Sequence, residues 1–261
     1  MAHLDFQPSW SGPAREVLER AIERHGGWST WQRLHSVTLG MRLLRGMLPT
    51  LKGNGRTFLL SPRFMVRPRE MEAELVDYPT AGSRGLFARG EVRLMETHGA
   101  TTAHATAHRD SFRGLSKYRR WSPLDALYFF GYALTHYHSL PFTLGEGQCL
   151  GHRHARLGNE VLDGVVVRLP PSLHTHCELQ VFYFDSTGLL RRHDYVAEIA
   201  GAWARGAHFW EDYVEVEGLS VARRRHVVAR LGGQPLPPFV ALHAEFDSVE
   251  VRLGEALSEK P

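Results

Sequence analysis

With 261 residues, 43% of them hydrophobic and 23% charged, the chain is long enough to bury a sizeable core, and no low-complexity tract interrupts it. Its 31 basic and 28 acidic residues are well interspersed and leave a formal net charge of +3, which argues against a nucleic-acid binder with one concentrated basic face. Two cysteines, Cys149 and Cys177, lack CxxC spacing, which excludes a disulfide scaffold and suits a reducing compartment.

The N-terminal MAHLDFQPSWSG has no basic segment followed by an apolar run, and the most apolar stretch, 124–134, falls short of the roughly 20 residues that span a bilayer. A cytoplasmic protein without membrane insertion is the expectation. The first legible element is a helix over about 13–25. Ser11 or Gly12 can cap it, Pro13 suits a first turn, and Gly26-Gly27 ends it. Val17, Leu18, Ala21 and Ile22 form one apolar stripe, so this helix covers something with one side. Strand candidates follow at 34–44, 57–60, 63–67 and 91–96.

A second helix, SPLDALYFFGYALTHYH at 122–138, opens with Ser122 and Asp125 at capping-box spacing and with Pro123 in the first turn. Leu124, Leu127, Tyr128, Phe130, Tyr132, Leu134 and Tyr137 surround it with apolar and aromatic surface, which predicts a helix buried on most sides. Further strand candidates at 165–169, 177–184, 189–199, 208–216, 221–228 and 239–251 are punctuated by Gly, Pro, Asn and Asp, as in an antiparallel meander. Strands never alternate with long helices, so a doubly wound parallel sheet is disfavoured. The predicted fold is mainly β (α+β). A single domain over residues 1–261 would hold one large curved antiparallel sheet, a half-barrel, with the inserted aromatic-rich helix as its lid or plug.

HCELQVFYFDSTGLLRRHDYVAEI carries the sharpest local signal. DSTG at 185–188 reads as a type I turn closed by a left-handed Gly188. That turn sets Phe184 opposite Leu190, Phe182 opposite Arg192, Gln180 opposite Asp194 and His176 opposite Glu198. Side chains alternate along a strand, so His193 and Asp194 point to opposite faces and RRHDY is no compact His–Asp dyad. One face, with Leu179, Val181, Tyr183, His193, Tyr195, Ala197 and Ile199, reads as packing. The other carries Phe182, Phe184 and Leu190 near the turn and His176, Glu178, Gln180, Arg192, Asp194 and Glu198 beyond it. That is the composition of a ligand pocket with an aromatic floor. It is equally that of a solvent-facing sheet with weak cross-strand ion pairs.

Sixteen histidines include three HxH pairs, His136/His138, His152/His154 and His174/His176. On a strand, i and i+2 share a face, so the last two pairs can each offer two imidazoles to one ion, with Glu178 or His208 as a third ligand. HExxH and Cys/His zinc spacings are missing, however, and no metal or other cofactor is expected. GxSxG, P-loop and GxGxxG motifs are missing too, which removes esterase, NTPase and Rossmann readings. Cys177 follows His176 directly, but the two point apart on a strand, so they form no Cys–His nucleophile. His208 shares a face with Trp210 and Asp212 if its strand is regular.

A short helix ending in HGG, Trp28 and Trp31, a long meander and a closing DYVEVEGLSVARRRHVV…FDSVEV together resemble the LolA/LolB-type lipoprotein-carrier fold, an unclosed antiparallel barrel lined with apolar residues. The VioE-type enzyme of violacein synthesis is built similarly and acts without a cofactor. SPLDALYFFGYALTHYHSLPFTL and HTHCELQVFYFDSTGLLRRHDYVAEIAG look like segments of a family of uncharacterised bacterial proteins, over most of 110–250. That resemblance singles out His176, Gln180, Tyr183, Asp185, Arg192, His193, Asp194, Tyr195 and His208 and brings no activity with it. The chain departs from the carriers in lacking a lipobox cysteine.

The expected function is therefore binding of a hydrophobic small molecule, with cofactor-independent acid–base chemistry such as isomerisation, cyclisation or dehydration in bacterial specialised metabolism. In that scheme His176, held by Glu198, is the acid/base, Asp194 or Tyr195 a second proton donor or acceptor, and Arg192 an anion stabiliser. Gln180, Phe182, Phe184, Tyr183, His193, His208, Tyr128 and Tyr132 line the ligand. A non-catalytic carrier of a lipid or hydrophobic metabolite and a His-ligated metal enzyme stand as the alternatives.

Overall fold

The computed structural model describes residues 6–53 and 63–255, and the strand expected at 57–60 lies outside them. Thirteen strands among the described residues form one antiparallel sheet, nearly in chain order. β1 (Leu34–Arg45) begins in the middle of the sheet. From it β2 (Arg63–Arg67), β3 (Glu72–Val76), β4 (Arg84–Ala88), β5 (Glu91–Met95) and β6 (Thr101–Ala105) step out to one edge. The chain then crosses to the opposite edge. β7 (Gln148–Leu157), β8 (Glu160–Arg168), β9 (Leu179–Phe184), β10 (Leu190–Val196), β11 (Arg205–Val216) and β12 (Leu219–Leu231) return until β13 (Gln234–Leu253) pairs with β1. β6 and β7 are the two ends of this order and do not pair with each other, so the barrel stays open.

Among the described residues four α-helices accompany the sheet. In α1 (Gly12–Arg24) the buried residues are Ala14, Val17, Leu18, Ala21 and Ile22, the stripe the sequence predicts. α2 (Gly27–Arg33) and α3 (Met47–Lys52) are short. The crossing itself is α4 (Pro123–Ser139), whose capping box is realised: Ser122 Oγ accepts from the Asp125 N–H, and the Asp125 carboxylate accepts from the Ser122 N–H at 2.7 Å. Every residue from Asp125 to Ser139 is buried, so α4 fills the hollow of the half-barrel as a plug.

Two glycines let α4 approach the sheet. A Cβ on Gly131 would run into the Phe87 side chain on β4, and one on Gly85 would meet Leu127 Cδ1 at 2.8 Å. A Gly131→Val variant is expected to lose about 1–3 kcal/mol of stability through overpacking. An unchanged urea midpoint would contradict this packing.

One bulge rearranges the predicted faces. Asp185 Oδ1 accepts from the N–H groups of Thr187 and Leu189, Gly188 takes φ +94°, and Leu190 pairs with Phe184 as expected. The register then slips by one at Arg191. Arg192 faces Tyr183, His193 faces Phe182 and Asp194 faces Val181. A one-residue slip exchanges the sides of every following residue. His193 and Tyr195 therefore join Gln180, Phe182 and Phe184 on the inner face, and Arg192 and Asp194 join Val181 and Tyr183 on the outer one. A second irregularity follows at Asp212, where φ is +54° and the β11–β12 ladder is interrupted without a change of register; Asp212 is exposed, off the face of His208 and Trp210, and its carboxylate pairs with Arg223 outside.

Candidate functional site

α4 carries tyrosines one turn apart, and the extended segment before β9 carries histidines two residues apart. The repeats match: about 6 Å for four residues of helix and roughly 6.6 Å for two of extended chain. Tyr128 OH accordingly meets His174 Nδ1 at 3.1 Å and Tyr132 OH meets His176 Nδ1 at 2.9 Å. His174 and His176 share a side, as the sequence implies, but each imidazole is spoken for by a different tyrosine instead of converging on an ion.

His176 is the centre of the inner wall. Its Nε2 lies 2.5 Å from Tyr137 OH, and its ring stacks on Tyr195 with centroids 3.9 Å apart. Tyr137 and Tyr195 hydroxyls are 3.5 Å apart. Next along the sheet, His193 stacks on Phe182 at 4.4 Å and places Nε2 2.5 Å from Gln180 Oε1, while the Gln180 amide NH2 donates to Thr175 Oγ1 at 3.0 Å. His193 pairs across the ladder with His208, whose ring lies 4.9 Å from that of Tyr137. Burial holds the His176, His193 and His208 imidazoles well below their usual value, and so neutral. The same burial raises the Tyr132, Tyr137 and Tyr195 phenols. The result is a proton-bearing but uncharged network.

A cavity of about 260 Å³ opens beside it. Its floor is His176, Tyr195 and Phe129, and its walls include Ala197, Ala200, Ala204, Val227, Ala229 and Leu242. α3 and the turn at 197–204 form the mouth, with Leu51 and Trp203 more than half exposed there. Lys52 fixes α3 by hydrogen-bonding the Lys117 carbonyl. None of the residues the sequence assigns to ligand contact lines this cavity; of those it assigns to acid–base chemistry, His176 and Tyr195 do. Phe182, Phe184, Gln180, His193, His208, Tyr128 and Tyr132 are buried behind or beside it. Phe129, Ala200 and Trp203 were missed, because a loop between two strands gives no periodic signal and Phe129 is one aromatic among many on α4.

The predicted charged partners are elsewhere. On the outer face Arg192 clasps Asp194 bidentately at 2.7 and 2.8 Å, donates to the Gly233 carbonyl and lies over the Tyr183 ring. Arg230 adds a contact to Asp194 at 3.2 Å. Glu198 does come near His176 through its backbone N–H, which donates to the His176 carbonyl at 3.3 Å. Its half-exposed carboxylate, however, turns away to Arg109 at 2.8 Å. None of Arg192, Asp194 and Glu198 reaches the His176 ring. Cys177 is unsuited to nucleophilic work, since burial pushes its thiol up to about 11.

Among the described residues one group could hold a metal: His152, His154 and Asp163, with ligand atoms within 4.8 Å of one another. The i, i+2 pairing predicted for His152 and His154 is realised, with Asp163 across the ladder from His154 in place of Glu178 or His208. Asp163 is already engaged by Arg20 at 2.8 Å, and the group shares no residue with the cavity.

A scan of family models and a search of curated proteins each give no match. Solved structures do match. A LolA superfamily protein from Nitrosomonas europaea is similar at 10% identity and TM-score 0.52, covering 93% of this chain and 94% of its own. A putative outer membrane lipoprotein-sorting protein domain from Vibrio parahaemolyticus gives 9% and 0.51, with coverages of 94% and 93%. A DUF1329 family protein from Desulfovibrio piger gives 12% and 0.50, with coverages of 92% and 94%. Such identities carry the fold alone: this chain is a LolA-like unclosed antiparallel half-barrel with helices in its hollow.

Proposed function

We propose that the half-barrel binds a hydrophobic small molecule in the cavity between α3, the 197–204 turn and the inner face of β11–β13. The carrying observation is that this hollow is walled by alanine, valine and leucine and rimmed by exposed Leu51 and Trp203. At about 260 Å³ it is just under the roughly 300–1,000 Å³ of drug-sized sites, so the guest is a small apolar molecule or the end of a longer chain. A lipid-like guest is in keeping with the lipoprotein-sorting description of the Vibrio parahaemolyticus neighbour. The free thiols of Cys149 and Cys177 support work in a reducing compartment such as the cytoplasm. Titrating the protein with N-phenyl-1-naphthylamine, an uncharged apolar probe, is expected to give saturable fluorescence enhancement at one equivalent. No enhancement, or unsaturable uptake, would overturn the reading.

A second, finer reading adds catalysis. It is favoured by the contact of His176 Nε2 with Tyr137 OH at 2.5 Å, with His176 and Tyr195 both on the cavity floor. A neutral imidazole between two phenols can take a proton from a guest and return it elsewhere without a cofactor, as isomerisation, cyclisation or dehydration requires. In this reading Tyr195 meets the guest, Tyr137 relays and His176 is the base, while Arg192, Asp194 and Glu198 serve structure. With a candidate substrate, Tyr195→Phe would leave probe binding within about twofold and abolish turnover. Unaltered turnover in that variant would exclude the relay and leave a carrier.

A further inference from the structure

Arg225 lies on β12 facing inward and is 4% exposed. Its guanidinium sits over the rings of Trp210, Tyr137 and Phe246, at 4.4, 5.4 and 5.5 Å. No carboxylate among the described residues contacts it. Its NH2 is 3.5 Å from His138 Nε2, and its Nε and NH1 have no hydrogen-bond partner. The Trp210 indole N–H beside it is also without an acceptor. Aromatic faces attract a cation, but they do not replace the hydrogen bonds a buried guanidinium gives up, and such a charge is normally paired. Burial lowers the Arg225 group only to about 10, so the charge persists at neutral pH.

Beside these unpaired donors is a small chamber of about 20 Å³, lined by Arg225, His138, Trp210, Tyr213 and Ser220 among others. That exceeds the roughly 10–15 Å³ needed to seat a water. It has no lining residue in common with the apolar cavity. The surroundings therefore hold a fixed positive charge, unsatisfied donors and room for one small group, and lack only an acceptor.

We propose that Arg225 is an internal site for one compact monovalent anion, a halide or a formate-sized carboxylate, held by its Nε and NH1. The chamber is too small for a phosphate ester or a sugar acid. The anion neutralises the core of the half-barrel where β11 and β12 meet α4, so its binding is linked to folding. The site does not depend on the proposed apolar guest, and the two can fail separately.

The test is thermal unfolding of the full chain in sodium chloride, sodium formate and sodium gluconate at equal ionic strength. Chloride or formate is expected to raise Tm saturably over gluconate, by roughly 4 °C at ten times Kd. The one giving the larger rise at lower concentration identifies the anion. Arg225→Met, which removes the charge and keeps the stem, should lose the increment, while the same change at its exposed neighbour, Arg224→Met, keeps it. Equal increments in wild type and Arg225→Met, or none in wild type, would overturn the proposal. If Arg225→Met does not fold, crystals of the wild-type protein grown in sodium bromide decide. Anomalous density within hydrogen-bond distance of Arg225 Nε or NH1 supports the site, and its absence there refutes it.

Discussion

Acidification should unfold this protein early, with Tm falling steadily as pH drops below about 6.5. His25, His136, His138, His176, His193 and His208 are all buried. Desolvation takes His25 and His136 down to about 4 and holds the other four well below 6.5. Above pH 6.5 the folded and unfolded chains carry these rings neutral alike, so nothing is lost. Below it, the unfolded chain binds protons that the folded chain refuses, and stability falls with pH until the folded rings themselves protonate, near 4 for His25 and His136. Each such ring contributes a slope of about 1.4 kcal/mol per pH unit. Several acting together exceed the whole stability of an ordinary domain within about two pH units. Circular-dichroism melts between about pH 8 and pH 5 check this. A Tm that is flat across that range would mean these histidines are hydrated, and the inner wall would not be as described.

Loss of the Asp125 carboxylate should be the most damaging single change at neutral pH. That group is fully buried and accepts hydrogen bonds from His108 Nε2 at 2.9 Å, Arg119 NH1 at 2.7 Å, the Ser122 N–H at 2.7 Å and Ser122 Oγ at 2.8 Å. Burial alone would raise its pKa, but the His108 and Ser122 hydrogen bonds and the Arg119 charge outweigh burial and bring it down to about 2. Asp125→Ala leaves two cationic or polar partners and the first turn of α4 without their acceptor. The expected cost is about 3–5 kcal/mol, or on the order of 10 °C in Tm. A loss under about 1 kcal/mol would show that α4 is held by its apolar surface alone.

Much of the fold was legible because its signals are local. The capping box at Ser122, the apolar stripe of α1 and the aromatic girdle of α4 each state a helix and its surroundings. The turn at Asp185–Gly188 states a hairpin. Short strands such as β3 and β4 expose and bury residues alternately over only five positions, too few for a period of two to stand out. The candidate site was half legible. His176 and Tyr195, singled out by residue type, both border the cavity, yet the partners assigned to them came from an unbulged register. A bulge at Arg191 leaves no mark in composition, and it exchanged the roles of His193 and Tyr195 with those of Arg192 and Asp194. The partners found on the His176 ring instead, Tyr132 and Tyr137, were visible as tyrosines of α4, but only the match between the i, i+4 spacing of Tyr128 and Tyr132 and the i, i+2 spacing of His174 and His176 shows where they land.

The cavity is the claim on which the functional reading rests, and one substitution addresses it. Ala229 lines the hollow from β12, whereas Leu231, two residues on, is 72% exposed and outside it. Ala229→Trp should fill the space and weaken N-phenyl-1-naphthylamine binding at least about tenfold, equivalent to about 1.4 kcal/mol, with the far-ultraviolet spectrum unchanged. Leu231→Trp should bind the probe as wild type does. Equal affinity in all three proteins would place the probe outside this cavity and contradict the account.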